Sequence, residues 1–203
     1  MEKIIEKSLA KAIPYTAYRD LMIGLSENGK TTGPNQTESL VFYTKLNNQR
    51  MKRLDKSLEL KPDFNEAIRK INCDLIWLVL TESWCGDAAQ ILPVLNKIAE
   101  ASPNIELLTV LRDENLPLMD NFLTNGGRSI PKVIILDKET LEVKGSWGPR
   151  PKPAQDMFTV YKLNKKKILY QDFQAELQKW YLKDKAETIQ DELLPFLKVC
   201  EKK

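Results

Sequence analysis

The sequence predicts an α/β fold in which a central mixed β-sheet is flanked by helices. Two short apolar runs, Asp74–Thr81 and Ile105–Leu111, have the composition of strands buried on both faces. A helix predicted between them, over about residues 87–101, requires these strands to run parallel through a right-handed crossover. A tight turn then joins two further strands, 132–136 and 141–147, into an antiparallel hairpin. The predicted core order is therefore β-α-β-α-β-β-α.

Helical spacing of apolar residues dominates both ends of the chain. The predicted helices outside the crossover are 2–12, 15–25, one capped by Thr37 that continues to about Leu60, 63–70, 117–125, 154–164 and 168–199, the last with breaks near Lys183 and Pro195. We expect residues 1–71 to form an N-terminal helical extension, residues 72–165 the α/β core, and residues 166–203 a set of C-terminal helices. These parts should pack as one compact domain.

Composition and charge exclude several classes of function. The chain of 203 residues has 31 Lys and Arg against 28 Asp and Glu, and a net charge of +3 is too balanced to predict a nucleic-acid or membrane partner. The longest apolar run, Leu75–Leu80, is far too short to span a bilayer. The absence of histidine excludes histidine acid–base catalysis and histidine-ligated metals. We therefore expect neither a metal nor a cofactor.

The cysteines and the N-terminus bear on the cellular compartment. Three cysteines at unrelated spacings do not predict a disulfide framework or a zinc site. The first residues mix acids and bases with apolar positions, unlike the uninterrupted apolar segment of a signal peptide. Together these observations predict a cytoplasmic protein whose thiols stay reduced.

The segment ESWCGDAAQ, Glu82–Gln90, places one cysteine between a predicted buried strand and a predicted helix. At this position the free N–H groups and the dipole of the helix favour the thiolate of Cys85 and lower its pKa. Asp87 lies in the same first turn, and its carboxylate disfavours a thiolate. Because these effects oppose each other, we expect only a modest net lowering of the Cys85 pKa.

W-C-G-D-A, residues 84–88, resembles the W-C-G-P-C motif of thioredoxins. GGRSIP, residues 126–131, is similar to the thioredoxin loop whose cis proline faces the active-site cysteine, and Gly148 matches the glycine beside that site. Together with LRDENLPLM, these segments resemble an uncharacterised bacterial branch of thioredoxin-like proteins, over about residues 72–165. The resemblance implies a thioredoxin-like fold with N-terminal and C-terminal helical extensions.

Carried over position by position, the resemblance implies that Cys85 is the attacking, catalytic cysteine. Ala88 stands in place of the resolving cysteine, and Val79 stands in place of the buried acid that serves resolution. Such a protein could form a mixed disulfide but would need an outside thiol, such as glutathione, to release it. A cis Pro131 would leave the N–H of Ile130 free to pair with an extended peptide or with glutathione.

Several other residues are expected around Cys85. The resemblance implies that Trp84 forms a flat lid beside the sulfur, that Gly86 completes the motif, and that Trp147 and Gly148 reach the same rim. Asp87 is either an ordinary carboxylate of the first helical turn or a proton donor and acceptor for the thiol.

Arginine side chains supply the candidate positive charges. Arg128 and Arg150 are the candidates for binding a glutathione carboxylate or acidifying the thiol, with a plain surface charge as the alternative. Arg50 and Arg53, on the long N-terminal helix, are better explained as solvated charges.

Neither remaining cysteine is expected to resolve a mixed disulfide on Cys85. Cys73 lies at the far end of the first long strand, roughly 20–25 Å away, which is beyond disulfide reach. Cys200, near the C-terminus, is better explained as an incidental thiol.

Two functions remain open. The first is a monothiol thiol–disulfide oxidoreductase, with a protein disulfide or a glutathione-like thiol as its partner. The alternative is a non-catalytic thioredoxin-like module for binding or redox sensing, since fold does not imply activity. Peroxide reduction by Cys85 ranks last, because the threonine-then-cysteine arrangement expected near a peroxidatic thiol is absent.

Overall fold

The computed structural model describes residues 1–198, and within them one five-stranded mixed sheet forms the centre of the molecule. The strands are β1 (Ile13–Pro14), β2 (Leu75–Thr81), β3 (Ile105–Leu111), β4 (Lys132–Asp137) and β5 (Val143–Trp147), in the spatial order β1-β3-β2-β4-β5. The predicted helix end at Val199 and the predicted incidental thiol of Cys200 lie outside the described residues.

Helices cover both faces of this sheet and form the two ends of the chain. They are α1 (Glu2–Leu9), α2 (Tyr15–Glu27), α3 (Glu38–Ser57), α4 (Pro62–Arg69), α5 (Ala88–Glu100), α6 (Leu116–Met119), α7 (Lys152–Leu163), α8 (Tyr170–Asp184) and α9 (Glu187–Lys198). Thr37 caps α3 as predicted, because its hydroxyl accepts the Leu40 N–H at 3.4 Å. Within residues 1–198, no helix is long and apolar enough to cross a membrane.

The central strand β2 is buried along its whole length, as its apolar composition predicts. It runs parallel to β3, with Leu75 paired to Ile105, and antiparallel to β4. The strands β4 and β5 form the predicted antiparallel hairpin. The turn between them is held by Asp137, whose carboxylate accepts the N–H groups of Glu139 and Thr140. The predicted α/β fold with a mixed sheet is therefore confirmed.

Two local predictions are wrong. The strand β1 is missing from the prediction because two residues carry no periodicity. Its pairing comes from β3, whose Thr109 hydroxyl donates to the Ile13 carbonyl at 3.0 Å. The helix predicted over residues 117–125 ends at Met119, because the chain then turns back through paired backbone bonds between Thr124 and Gly127.

The C-terminal helix α9 packs against the edge strand β5. The close approach depends on Gly145, since a Cβ there would lie 2.6 Å from the ring of Phe196. A second contact comes from Trp147, whose indole N–H donates to the Glu192 carboxylate at 2.8 Å. Burial of Leu193 and Leu197 completes this contact between the sheet and the end of the described chain.

Candidate active site

Cys85 lies where β2 ends and α5 begins, so its sulfur meets both the first turn of a helix and a neighbouring loop. The Sγ–H donates to the Ile130 carbonyl at 3.3 Å, and the Sγ accepts the Ala88 N–H at 3.4 Å. The residue is only 7% exposed. The sulfur is thus a buried thiol with two backbone partners.

The loop that faces Cys85 is fixed by a cis peptide bond between Ile130 and Pro131. Gly148 approaches this loop so closely that a Cβ on it would lie 2.5 Å from the Pro131 carbonyl oxygen. Its φ of +108° also favours glycine. The Ile130 N–H has no hydrogen-bond partner among residues 1–198. The loop therefore offers one free backbone donor beside the thiol.

A hydroxyl and carboxyl network anchors the turn before Cys85, and no local sequence pattern predicts it. The Ser83 hydroxyl is buried among the hydroxyls of Thr31, Thr32 and Thr44. The Glu82 carboxylate accepts the Thr32 hydroxyl and the Asp113 N–H. Burial raises the pKa of Glu82. This network connects the loop before α3 to the end of β2 and so holds the turn that precedes Cys85.

Asp87 is the centre of a buried ion pair. Its carboxylate lies 2.6 Å from the Arg150 guanidinium and accepts the Tyr181 hydroxyl at 2.9 Å. The guanidinium of Arg150 also stacks over the ring of Phe158 at 4.4 Å. Burial raises the pKa of Asp87, while Arg150 and Tyr181 act in the opposite direction. The hydrogen bond from Tyr181 joins the first turn of the site, at Asp87, to α8. Because the two residues are far apart in the sequence, no local pattern predicts this contact.

The expectation of a slightly acidified thiol is wrong. Burial, and next the Asp87 carboxylate, raise the pKa of Cys85 to about 12. The Ala88 N–H and the Arg150 charge act against this rise but are weaker. Desolvation is the largest effect on this thiol, and it depends on the packing of the whole fold around Cys85, which the local sequence does not show.

Cys73 does not add a second thiol to this site. Cys85 is a free thiol. Cys73 is disulfide-bonded, so the expectation that the cysteines form no disulfide is wrong for this residue. Within residues 1–198, no group of three or more Cys, Asp or Glu side chains is arranged to hold a metal ion.

A cleft of about 710 Å³ opens above Cys85. Residues 84–87 form its floor, and Ile130 lies on one wall. Two helices also line the cleft, with Leu40, Phe42, Tyr43 and Leu46 from α3 and Tyr170, Phe173 and Leu177 from α8. The hydroxyl of Tyr43 donates to Gln174 at 2.5 Å and links the two helices. These two helices therefore add apolar and aromatic side chains to the cleft, beside polar ones such as Gln171 and Gln178.

Three of the four arginines that line this cleft are already paired. Arg150 holds Asp87, and Arg128 binds Asp120 through two bonds of 2.6 and 2.9 Å on an exposed surface. The third, Arg112, binds Asp113 and lies 5.0 Å from the Trp84 ring. The predicted candidates Arg128 and Arg150 both reach the cleft, but each already has a carboxylate partner.

Arg50 is the fourth arginine, and the expectation that it is a solvated charge is wrong. It is partly buried, lines the cleft and donates to Asn47 at 2.9 Å. Helical spacing alone could not show this, because the burial comes from α8 packing beside α3. Arg53 is exposed and lies outside this cleft, as expected of a solvated charge.

The predicted tryptophans occupy different places. Trp84 lines the cleft beside Cys85. Trp147 does not line it, because its indole is engaged by Glu192. Gly86 lies on the floor and leaves space above it for the side chains of Arg50 and Gln178. The structure thus brings Trp84, Gly86 and Asp87 together with Cys85, and it directs Trp147 toward α9.

The family model described as Thioredoxin matches residues 33–162, more than half of the chain. Among solved structures, a protein of unknown function from Pseudomonas aeruginosa is 22% identical with a TM-score of 0.50, over 72% of this chain and 86% of that one. A crystal structure titled as an HIV epitope-scaffold is 18% identical with a TM-score of 0.52, over 88% of this chain and 96% of that one. These two likenesses concern the fold. No curated protein matches the sequence.

Proposed function

The chain belongs to the thioredoxin family, and from that premise we propose that it is a thioredoxin-like binding module. In this proposal a partner occupies the cleft above Cys85, and the thiol remains protonated in the free protein. The observation that carries the proposal is the buried Cys85 thiol, which donates to the Ile130 carbonyl and has a pKa raised to about 12.

The size of this pKa rise argues against constitutive exchange. A free cysteine with a pKa of about 8.5 is roughly 3% thiolate at pH 7, whereas a pKa of about 12 leaves roughly one thiolate in 10⁵. A more basic thiolate is more nucleophilic, with a Brønsted coefficient of about 0.4–0.5, which restores only part of the loss. The net attack rate at neutral pH should be roughly 100-fold below that of an ordinary thiol.

The positions that would complete exchange are also altered. Ala88 stands where a resolving thiol would act, and it is buried as the first residue of α5. Val79, in place of a buried acid, is fully enclosed in β2. A disulfide formed on Cys85 would therefore depend on a thiol from outside the described chain for its release.

The cleft itself supports a binding role. Its walls combine exposed aromatic surface, such as Phe42 at 60% exposure, with the free N–H of Ile130. A free backbone donor beside an apolar groove suits an extended peptide, which can pair with it as a strand does. Helix α3 lies within the residues that the family model matches, whereas α8 lies outside them, so α8 enlarges this groove beyond the matched region.

Partner capture with matched variants tests the binding role. The parent protein, Cys85→Ser, Phe42→Asp and Leu163→Asp are immobilised, and captured proteins are identified by mass spectrometry. Phe42 and Leu163 are both exposed, but only Phe42 lines the cleft. We expect Phe42→Asp alone to lose the partners. Loss of the same partners from Cys85→Ser, or their capture only as reducible adducts, would contradict the proposal.

Monothiol exchange is the second candidate, and one observation favours it. The Ala88 N–H points at the Cys85 sulfur, and the charge of Arg150 also lowers the thiol pKa. Both would stabilise a thiolate if a bound partner altered the surroundings of the sulfur. Turnover of a glutathione mixed disulfide, with Cys85→Ser as the control, measures this activity. Turnover that disappears with Cys85 would favour exchange over binding alone.

A further inference from the structure

Two side chains from the helical extensions converge beside Cys85. At Gly86, the point that a Cβ would occupy lies 3.5 Å from Nη1 of Arg50 and 3.6 Å from Nε2 of Gln178. Arg50 comes from α3 and Gln178 from α8, and both line the cleft. Because Gly86 has no side chain, the two nitrogens face a shared space on the cleft floor.

The Arg50 guanidinium is oriented but lacks an anionic partner. It donates to Asn47 at 2.9 Å, and the Asn47 amide donates in turn to the Ser83 carbonyl at 2.9 Å. Within residues 1–198, no carboxylate lies within ion-pair distance of Arg50. Burial lowers the pKa of Arg50, although an arginine remains charged at physiological pH. The Asp87 carboxylate acts on Arg50 only from beyond ion-pair distance and is itself paired with Arg150, so the partly buried Arg50 charge favours the binding of an anion.

The side-chain amide of Gln178 also has an orientation that a hydrogen bond determines. Its Oε1 accepts the Gln90 amide at 2.7 Å, which leaves the Nε2 group to face the space above Gly86. Gln90 is almost fully buried in α5, so it holds this orientation from the core side. The cleft therefore contains a charged donor and a neutral donor, each held by a partner behind it.

We propose that Arg50 and Gln178 form a subsite for a single carboxylate of the ligand that occupies the cleft, beside Cys85. This inference rests on the proposed function, because it assigns a chemistry to the partner. A carboxylate has two acceptor oxygens that both donors can reach, and its single charge matches the guanidinium of Arg50. The aromatic wall from Phe42, Tyr43 and Tyr170 would then contact the rest of the ligand.

The carboxylate can come from a small peptide-like thiol or from an acidic side chain of a protein, and two probes distinguish these sources. The first is S-methylglutathione, which carries carboxylates but cannot exchange disulfides. The second is the peptide acetyl-Glu-Phe-Glu-Phe-amide, compared with acetyl-Gln-Phe-Gln-Phe-amide as its neutral counterpart. Binding to the full chain is measured by calorimetric titration at fixed ionic strength.

The variants separate a specific site from general charge. Arg50→Gln removes the charge from the cleft, and Arg53→Gln removes the same charge from an exposed position on the same helix. We expect Arg50→Gln to weaken carboxylate binding at least tenfold and Gln178→Leu severalfold, while Arg53→Gln binds as the parent does. Arg50→Lys should retain part of the affinity, and it keeps the test valid if Arg50→Gln folds poorly.

Each outcome decides the inference. The probe that binds more tightly in an Arg50-dependent manner identifies the source of the carboxylate. The inference is overturned if neither probe binds, or if Arg50→Gln and Arg53→Gln weaken binding equally. If the neutral peptide binds the cleft as well as the acidic one, the carboxylate subsite fails while the binding role stands. A low Cys85 pKa with turnover would overturn the binding role and leave the subsite intact.

Discussion

Replacing Arg150 by Met should lower the free energy of unfolding, because the buried Asp87 carboxylate loses its charged partner. Methionine can still pack on the ring of Phe158, but it cannot pair with a carboxylate whose own side chain is only 8% exposed. The hydroxyl of Tyr181 would remain as its other partner. Removing one member of a buried pair costs about 3–5 kcal/mol of folding free energy. We expect a loss in this range at pH 7, measured by urea unfolding.

The dependence on pH is the sharper part of this prediction. A carboxyl whose folded pKa lies above its unfolded value destabilises the folded state as pH rises between the two values. Arg150 holds the Asp87 pKa down, so the variant should raise it further. At pH values between the Asp87 pKa of the parent and that of the variant, the loss of folding free energy should then grow with pH, by up to about 1.4 kcal/mol per pH unit.

The double variant Asp87→Asn, Arg150→Met is the matched control. It removes the carboxylate together with its partner, so the pH-dependent part of the loss should disappear. The double variant should also be less destabilised at pH 7 than Arg150→Met alone. An equal loss at all pH values for Arg150→Met, or additive effects of the two substitutions, would refute the proposed role of the ion pair.

The remaining predictions concern the thiol and its neighbouring loop. Asp87→Asn should lower the Cys85 pKa and speed alkylation at pH 9 about three- to fourfold for each unit of the decrease, because the gain in thiolate is partly offset by its lower nucleophilicity; an unchanged rate would exclude a charge effect. Gly148→Ala should destabilise the fold by about 1–3 kcal/mol or more, because its backbone is left-handed and its Cβ meets Pro131; thermal unfolding measures the loss, and a neutral effect would contradict the close approach. Ala88→Cys should form a reversible disulfide with Cys85 on oxidation, detected by mass, and its failure would show that the turn lacks redox-motif geometry.

The parts of the fold that the sequence predicted are those with a local pattern. The apolar run of β2, the cap at Thr37 and the turn at Asp137 each act through residues close in sequence. The two-residue β1 could not be predicted, because its strand geometry depends on pairing with β3, about 95 residues away.

The candidate site was predicted only in part for the same reason. The position of Cys85 between strand and helix follows from the local pattern, whereas its burial depends on the whole fold. The contact between Tyr181 and Asp87 spans 94 residues, and the charge of Arg50 is enclosed only once α8 packs nearby. Desolvation is a tertiary property, so local reasoning gave the wrong direction for the thiol pKa.

The packing of α9 on β5 also bears on how the sheet meets other proteins. An uncovered edge strand is a template for pairing with another chain. At the β5 edge, the ring of Phe196 lies against Gly145. At the opposite edge, β1 is only two residues long and ends in Pro14, which lacks an N–H donor. The short β1 therefore offers few backbone groups to an added strand, whereas Phe196 covers part of a face of β5, and shortening α9 should expose that face and promote self-association.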